Sequence, residues 1–272
     1  MPERGAGVGG VERPRVRAVV VAVPVRDEEA RVAACLRSVL AAAARAEVVV
    51  VVAVALDRCA DASRARVDEV LGTGTGTGAV VVELGGPAPG RTVADVRDAA
   101  VGAGLAALPP VRSGDEDDPA AAGLHATEGA VWLACTDADT LVPEDWLAEQ
   151  LRWAGRGADL VAGGLRLDDD PRLPPAARER YEELLHSRVR GETHEHVYGA
   201  NLGVRASAWR AAGGFPRVAT GEEAALLAAV ERAGGAVVRP LEPRVTTSGR
   251  TRGRAAGGLA DLLDSLAPAS GS

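Results

Sequence analysis

The spacing of apolar residues predicts four strands in the first half of the chain. Runs rich in Val and Ala continue without polar alternation, which is typical of strands buried on both faces. We predict these strands at residues 16–25, 47–56, 79–84 and 130–135. Segments with helical periodicity follow the first three strands. Because such alternation forms parallel sheets with helices on both faces, the pattern predicts an α/β fold with a mostly parallel central sheet.

The remaining predicted elements follow from the same periodicity. The first helix begins at "DEEA", because acids in a first turn suit the helix dipole. Beyond residue 140 the pattern loosens into an irregular second half. We predict there a helix near 144–154, a strand near 158–167, and helices near 175–190 and 221–234.

The segments between these elements indicate one domain over residues 15–265. Residues 1–14 are charged and rich in Gly, so we expect a disordered tail. The repeat "GTGTGTG" at 72–78 is predicted to be a linker. The long polar segment 108–129 is predicted to be a mobile loop and a candidate lid over a ligand.

Composition and charge narrow the function by exclusion. The net charge is −7, so no overall basic field attracts nucleic acid, although every basic residue is Arg. The longest apolar run, at 48–56, is far shorter than the roughly 20 residues of a membrane-spanning helix. Three widely spaced cysteines suit a reducing compartment. We therefore expect a soluble cytoplasmic protein with no nucleic-acid partner and no integral membrane segment.

Two aspartates stand just past the end of the fourth predicted strand, in the stretch "LACTDADTLVPEDWL". Ligands of open parallel sheets bind beyond the carboxyl ends of the strands, where Asp137 and Asp139 are expected. Two neighbouring carboxylates repel each other unless a cation or a proton lies between them. Oxygen ligands of this kind suit Mg²⁺ or Mn²⁺ beside a phosphate. The alternative is a turn in which both aspartates cap the backbone, and the pair alone favours that alternative.

Five segments resemble, in the same order, the motifs of family 2 glycosyltransferases. They are "VVVAVPVRDEEARVAACLRSVL", "VVAVALDRCADAS", "WLACTDADTLVPEDWL", "YGANLGVRASAWRAAGGF" and "TGEEAALLAAVERAG". The remainder, "RVTTSGRTRGRAAGGLADLL", resembles the tail of a bacterial, non-processive subgroup. The resemblance implies a single A-type glycosyltransferase domain. Residues 15–140 would form its nucleotide-binding half, and residues 141–265 its acceptor half.

The resemblance also implies which residues line the nucleotide pocket. Asp57 would reach the base or the ribose, and Arg97 corresponds to a family position near the diphosphate. From sequence position alone, Asp57 fits a helix N-cap equally well, and Arg97 fits a solvated helix face. The residues assigned to nucleotide binding are Pro24, Arg26, Glu28, Asp57, Arg97 and Asp137.

The catalytic groups implied by the resemblance are acidic. Asp137 and Asp139 would bracket a divalent metal, Mg²⁺ or Mn²⁺, with Asp139 in direct contact. Glu222 and Glu223 stand where the family has Glu-Asp, so Glu223 is the candidate base of an inverting transfer, with Glu222 as the second candidate. Glu223 departs from the family by one methylene, which changes its reach. The alternative for both acids is pairing with a helix dipole.

On the acceptor side, the resemblance points to Gly199, Ala200 and Asn201. The small residues would let the backbone approach a sugar, and Asn201 would bridge donor and acceptor hydroxyls. His194 and His196 form an H-x-H pattern, so His196 is a candidate for contact with the metal or the acceptor. The alternative is a pair of exposed loop histidines.

The expected activity is transfer of a sugar from a UDP- or GDP-sugar to a hydroxyl of a small-molecule or carrier-bound acceptor. A non-catalytic nucleotide-sugar-binding relative remains an alternative, because Glu223 and the segment "RTVADVRDAA" depart from the family pattern. A nucleotidyltransferase is a weaker alternative. That class uses a Gly-rich loop with a basic residue after the first strand, and "PVRDEEARV" has different chemistry.

Overall fold

The computed structural model describes residues 13–72, 77–86, 90–109, 128–253 and 257–267. The four strands predicted in the first half are present. In chain order, the strands are β1 (Ala18–Val25), β2 (Val49–Asp57), β3 (Gly78–Leu84), β4 (Val131–Cys135), β5 (Leu160–Ala162), β6 (Leu165–Leu167), β7 (Val189–Arg190), β8 (Thr193–His194), β9 (Leu202–Arg205), β10 (Val237–Val238) and β11 (Val245–Thr247).

Helices connect these strands and cover the sheet. They are α1 (Val32–Ala44), α2 (Ser63–Leu71), α3 (Val93–Ala107), α4 (Trp146–Gly155), α5 (Pro175–Ser187), α6 (Ala206–Ala211), α7 (Glu222–Arg232) and α8 (Leu259–Leu266). A short 3₁₀ turn, Gly199–Asn201, precedes β9. None of the helices in the ranges described above is long and apolar enough to cross a membrane.

The central sheet has seven strands in the order β10-β5-β9-β4-β1-β2-β3. Strand β1 lies in parallel between β2 and β4, and β9 runs antiparallel to both of its neighbours. Buried apolar clusters cover both faces, one around α1, α2 and α4 and the other around α3 and α7. The predicted α/β class, with a mostly parallel sheet between helices, is therefore confirmed.

The two faces of the sheet differ in the size of their side chains. Val19, Val21 and Val23 of β1 point into the cluster around α1, whereas Ala18, Val20 and Ala22 point into the cluster around α3. Strand β2 repeats this division, with larger residues on the α1 face and alanines on the α3 face. The small side chains let α3 lie close to the sheet. The closest approach is at a glycine of α3, which leaves no room for a methyl group.

The first helix begins later than the sequence predicts. Helix α1 starts at Val32, and the preceding acids lie in turns. Asp27 has a left-handed φ of 51°, and its Oδ1 accepts a hydrogen bond of 2.7 Å from the backbone N–H of Ala60. The N–H of Glu28 donates to Ser63 Oγ at 2.7 Å. These bonds join the loops after β1 and β2, which explains why the acids stay outside the helix.

The prediction of one strand over 158–167 is wrong. Gly163 and Gly164 separate β5 from β6, and β6 pairs with β11 in a second sheet. A Cβ at Gly163 would lie 2.2 Å from Nδ2 of Asn201, so the chain needs glycine where it changes sheets. The prediction also missed β9, because its four residues follow directly on a loop rich in small residues.

Three predicted irregular segments lie wholly or partly outside the described residues. They are the tail, the linker and the long loop, of which 1–12, 73–76 and 110–127 are not described. The end of the predicted tail does contact the domain. Arg13 Nη2 lies 2.6 Å from Asp159 Oδ2, and Arg205 donates to the carbonyl oxygen of Pro14 at 2.9 Å. The ordered domain therefore begins before residue 15.

The close packing of α3 predicts opposite effects for two glycines of the same helix. A Cβ at Gly104 would lie 2.3 Å from Val20 Cγ1 and 3.0 Å from Ala53 Cβ, whereas a Cβ at Gly102 would meet nothing within 4 Å. We expect Gly102→Ala to stabilise the protein by about 0.5–1 kcal/mol. Gly104→Ala should destabilise it by about 1–2 kcal/mol, because overpacking exceeds the gain in helix propensity. Urea unfolding of both variants provides the measurement, and equal stabilisation would contradict the packing described here.

Candidate functional site

The carboxyl ends of β1, β2 and β4 carry a group of acidic side chains that are joined by arginines. The loop after β4 supplies Asp137 and Asp139, and the loop after β1 supplies Glu28. Two arginines bridge these acids, Arg97 from α3 and Arg250 from the segment after β11. Ligands of parallel sheets bind at this edge, so the structure brings these charges together at the position that the sequence indicates.

The guanidinium of Arg97 lies at the centre of this group and is 2% exposed. It contacts Asp137 Oδ1 at 3.1 Å and Glu222 Oε1 at 3.3 Å through Nη2, and it donates from Nη1 to the carbonyl oxygen of Gly199 at 3.1 Å. The ring of Phe215 lies 5.5 Å from its Cζ. Its Nε has no hydrogen-bond partner in the part of the chain that is described. One buried cation therefore contacts residues from both predicted halves.

The surroundings of Arg97 keep it charged. Burial alone would lower the pKa of Arg97, but the carboxylates of Asp137 and Glu222 raise it above its ordinary value. Gly199 provides the space that the guanidinium needs, because a Cβ there would lie 2.4 Å from Arg97 Nη2. The alternative interpretation of Arg97, a residue on a solvated helix face, is therefore wrong. The small residue at 199 makes room for Arg97, which differs from its predicted role of admitting a sugar.

A second buried contact joins Arg250 to the residue predicted to touch the metal. Arg250 Nη2 lies 3.0 Å from Asp139 Oδ2, and the guanidinium also binds Glu28 through both carboxylate oxygens, at 2.6 and 2.8 Å. Burial raises the pKa of Asp139 to about 6, with further contributions from Asp137 and Glu28 against the opposing charge of Arg250. Positive charge is therefore bound where these three carboxylates converge.

The residues at this position fit a divalent cation in their chemistry. Asp137 and Asp139 offer the hard oxygen ligands that Mg²⁺ and Mn²⁺ prefer, and the side chain of Asp137 is 38% exposed. Arg250 acts as a stand-in cation, because its guanidinium already neutralises Asp139 and Glu28. A metal in direct contact with Asp139 Oδ2 would either share that oxygen with Arg250 or displace it.

A different group of possible ligands lies nearby. Oxygen or sulfur atoms of Asp27, Cys59 and Asp61 come within 4.8 Å of one another. Their oxygens already accept backbone hydrogen bonds: Asp27 from Ala60, and Asp61 from Ser63 and Glu29. These hydrogen bonds join the loops after β1 and β2, so the cluster has a structural explanation without a metal. Asp61, just before α2, therefore holds the backbone of both loops.

The two glutamates at the start of α7 occupy different environments. Glu222 is fixed by Arg97, as described above, and is 8% exposed. Burial raises the pKa of Glu223 to about 7, and the charge of Glu222 and a hydrogen bond with it raise that pKa further against the opposing charge of Arg97. The pair therefore divides into one carboxyl group that contacts a buried arginine and one whose pKa is raised toward neutrality.

Asp57 is enclosed by arginines at the end of β2. It is 4% exposed and accepts hydrogen bonds from Arg58 and Arg91. Burial would raise the pKa of Asp57, but the hydrogen bonds from these two arginines hold it below its ordinary value. The predicted neighbours Pro24 and Arg26 lie at the end of β1 and just after it, and Arg26 Nη1 is 3.9 Å from Asp57 Oδ2.

The structure contradicts the acceptor-side prediction for Asn201. This residue is 1% exposed, and its Oδ1 accepts a hydrogen bond of 2.8 Å from Trp146 Nε1. Its Nδ2 donates to the carbonyl oxygens of Gly164 and Pro243, at 2.8 and 2.9 Å. All of these contacts lie inside the protein, so the side chain joins α4 to the loops after β5 and β10 and does not face a ligand. Ala200, which is 4% exposed, is also core.

His196 packs against its neighbours, and its predicted contact with metal or acceptor stays a prediction. Its Nε2 lies 3.2 Å from the carbonyl oxygen of Leu185, and its ring stacks between His194 and Tyr198, at centroid distances of 5.9 and 5.6 Å. The Nε2 of His194 contacts the carbonyl oxygen of Pro240 at 3.1 Å. The alternative of exposed histidines is wrong for His194, which is 4% exposed, whereas His196 is half-buried. The H-x-H pattern packs the short hairpin β7–β8 against α5.

Sequence analysis missed Arg250, Arg58 and Arg91 as members of the site. The segment "SGRTRGR" is visibly basic, but Arg250 meets Glu28 across 222 positions of the chain. The usable signal was the position of a basic residue directly after a strand end. That signal also applies to Arg58, which follows β2 at once, but not to Arg91, which lies well after β3 and just before α3.

Comparison with known proteins identifies the fold. No protein-family model matches the chain, and no curated protein matches it. The mannosyltransferase PcManGT from Pyrobaculum calidifontis, solved with GDP-Man and Mn²⁺, matches at a TM-score of 0.61 with 19% identity, over 89% of this chain and 59% of that one. S. aureus TarS 1-349 in complex with UDP-GlcNAc matches at 0.57 with 12% identity, over 89% and 61%.

These similarities confirm the predicted A-type glycosyltransferase fold in a single domain. The chain spans about three fifths of the length of each of the two structures.

The burial of Asn201 predicts an effect on stability. We expect Asn201→Ala to lower the free energy of unfolding by roughly 2–4 kcal/mol, because two backbone carbonyls and a tryptophan N–H lose their partner. Ligand affinity of the fraction that stays folded should be unchanged. Urea denaturation and ligand titration at low temperature measure the two effects. If Asn201→Ala lost ligand affinity but kept its stability, Asn201 would belong to the ligand site after all.

Proposed function

We propose that the protein is a metal-dependent glycosyltransferase that moves a sugar from a nucleotide-sugar donor to an acceptor hydroxyl with inversion. The observation that carries this proposal is the double contact of Arg97 with Asp137 and Glu222. It joins the acid expected near the donor diphosphate to the acid pair expected near the acceptor. The shared fold supports the proposal, because relatives of that fold were solved with GDP-Man and Mn²⁺ and with UDP-GlcNAc.

The donor would bind across the carboxyl ends of β1, β2 and β4. Asp137 and Asp139 would hold Mg²⁺ or Mn²⁺, and the ion, when bound, offsets the charge that develops on the leaving nucleoside diphosphate. Arg97 fixes the orientation of Asp137 from behind, since the guanidinium is buried and Asp137 is partly exposed. Arg250 keeps two contacts with Glu28 when Asp139 exchanges partners, so its charge remains beside the diphosphate.

The acceptor would be activated by Glu223. Glu222 is paired with Arg97, whereas burial raises the pKa of Glu223 to about 7, so Glu223 is the member of the pair suited to exchange a proton near neutral pH. Its carboxylate takes the proton of the acceptor hydroxyl while the hydroxyl oxygen bonds to the anomeric carbon. The bond from that carbon to the diphosphate breaks in the same step. A base with a pKa near the working pH is suited to such a transfer.

A non-catalytic binding protein is the second candidate, and the ion pair between Arg250 and Asp139 favours it. In that case a nucleotide-sugar would bind without the metal displacing Arg250, and no sugar would be transferred. The two candidates differ in turnover and in metal dependence. Both leave the protein acting in the cytoplasm, the compartment that suits its three free cysteines.

Removal of the metal-binding aspartate provides the first test. We expect Asp139→Ala to weaken Mn²⁺-dependent binding of GDP or UDP by roughly tenfold to a hundredfold, and to leave binding in EDTA unchanged. Asp169→Ala removes an exposed aspartate of the loop before α5 and serves as the charge-matched control. Isothermal titration with and without Mn²⁺ measures both variants. Equal affinity of wild type and Asp139→Ala in Mn²⁺ would exclude the metal site proposed here.

The division of roles between the two glutamates gives the second test. We expect Glu223→Gln to lower kcat by about 10²–10⁴ while donor binding stays intact. The wild-type rate should rise with pH through about 7, because the base works only after it loses its proton. Glu222→Gln removes a neighbouring negative charge, so the rise should move to lower pH. Donor hydrolysis or transfer rates between pH 5 and 9 provide the measurement, and a wild-type kcat in Glu223→Gln would exclude this base.

A further inference from the structure

Three arginines converge on Asp57 at the end of β2. Arg58 donates from Nε to Oδ1 at 2.9 Å and from Nη2 to Oδ2 at 2.8 Å. Arg91 donates from Nη1 to Oδ1 at 2.8 Å and to the carbonyl oxygen of Leu84 at 2.7 Å. Arg26 Nη1 lies 3.9 Å from Oδ2. One carboxylate therefore faces three guanidinium groups, and this group of Arg26, Arg58 and Arg91 is called the arginine cluster below.

The arginine cluster leaves the carboxylate of Asp57 little capacity to accept further hydrogen bonds. Its Oδ1 already receives two donors, and its Oδ2 receives one and faces Arg26. A carboxylate oxygen offers about two acceptor positions. The edge of the site presented to a ligand is therefore rich in donors. The side chain of Arg26 is 45% exposed and that of Arg58 is 31% exposed, whereas that of Asp57 is 6% exposed.

The backbone at Arg58 indicates that this arrangement is maintained against a conformational cost. Arg58 has a φ of 49°, in the left-handed region that residues other than glycine seldom adopt. Such conformations are costly for a residue with a side chain and concentrate at ligand sites. The left-handed turn directs the guanidinium back onto the carboxylate of the preceding residue, where its two bonds hold it.

We propose that the arginine cluster reads the base of the donor nucleotide and selects guanine over uracil. The inference rests on the proposed function, which puts the nucleotide at this edge of the sheet. Guanine presents two adjacent acceptors, N7 and O6, and the planar fork of an arginine matches them with two parallel hydrogen bonds. Arg26 is the arginine expected to do so, because its contact with Asp57 is the longest of the three.

Uracil matches the same edge poorly. Its N3–H donor lies between two carbonyl oxygens and needs an acceptor, which the occupied carboxylate of Asp57 does not supply. Adenine presents an amino donor beside N7, so it would also place a donor against the guanidinium groups. Cytosine does offer adjacent acceptors, O2 and N3, and is therefore the competitor that the experiment has to separate from guanine.

The experiment compares four nucleotides on the full chain. Isothermal titration with GDP, UDP, CDP and ADP in Mn²⁺ should show GDP bound more tightly than UDP by roughly five- to a hundredfold, the range that one bidentate arginine–guanine pair supplies. Arg26→Lys keeps the charge but loses the fork, so it should bring the ratio of UDP to GDP dissociation constants close to one. Arg66→Lys, on the exposed face of α2, is the matched control and should leave the ratio unchanged.

The outcomes separate this inference from the function on which it rests. Absence of Mn²⁺-dependent binding by any of the four nucleotides would overturn the proposed function, and the inference with it. Binding with UDP or CDP as tight as GDP, or an unchanged ratio in Arg26→Lys, would overturn only the inference. The last measurement tests whether inorganic phosphate competes with GDP. If it competes with GDP in wild type but not in Arg26→Lys, the cluster binds a phosphate group and guanine selection is excluded.

Discussion

The buried guanidinium of Arg97 is the constraint on which the site depends. A charge removed from water is costly unless it is paired and hydrogen-bonded, and here Asp137, Glu222 and the carbonyl oxygen of Gly199 supply the partners. These groups come from the loop after β4, the start of α7 and the turn before β9. Loss of either carboxylate would leave the cation under-compensated in the interior. The folding of both ends of the site is therefore coupled through one side chain.

The rest of the site extends the same principle of alternating charge. Glu28, Arg250 and Asp139 form one chain of contacts, and Asp57 with its arginines forms another. Because the protein contains no lysine, every one of these cations is a planar guanidinium that stays charged throughout the usable pH range. The titratable groups of the site are therefore its acids. Burial raises the pKa of Asp139 and Glu223 among these acids, whereas the positive charge of the arginines is permanent.

Much of the fold was predictable from sequence, and the site was predictable in part. Continuous valine-rich runs gave the strands of the first half, and the position of Asp137 and Asp139 beyond β4 followed from the topology of parallel sheets. The structure brings Arg97 and Glu222 to these acids, although their chemical roles stay predictions. Periodicity could not reveal the contact between Arg250 and Glu28, which depends on chain reversal over 222 positions. Periodicity also could not reveal that Asn201 is buried, because an amide side chain can hydrogen-bond equally well to the protein interior and to a sugar.

The unequal faces of the central sheet have a consequence for how this sequence can change over time. On the side of α1, branched side chains of similar volume can replace one another with small adjustments. On the side of α3, Val20 and Ala53 approach Gly104 so closely that a larger residue at position 104 has no space. Helix α3 also carries Arg97. Sequence drift should therefore be slower around Gly104 and Arg97 than on the α1 side of the sheet, and homologues would best be sought with these two positions of α3.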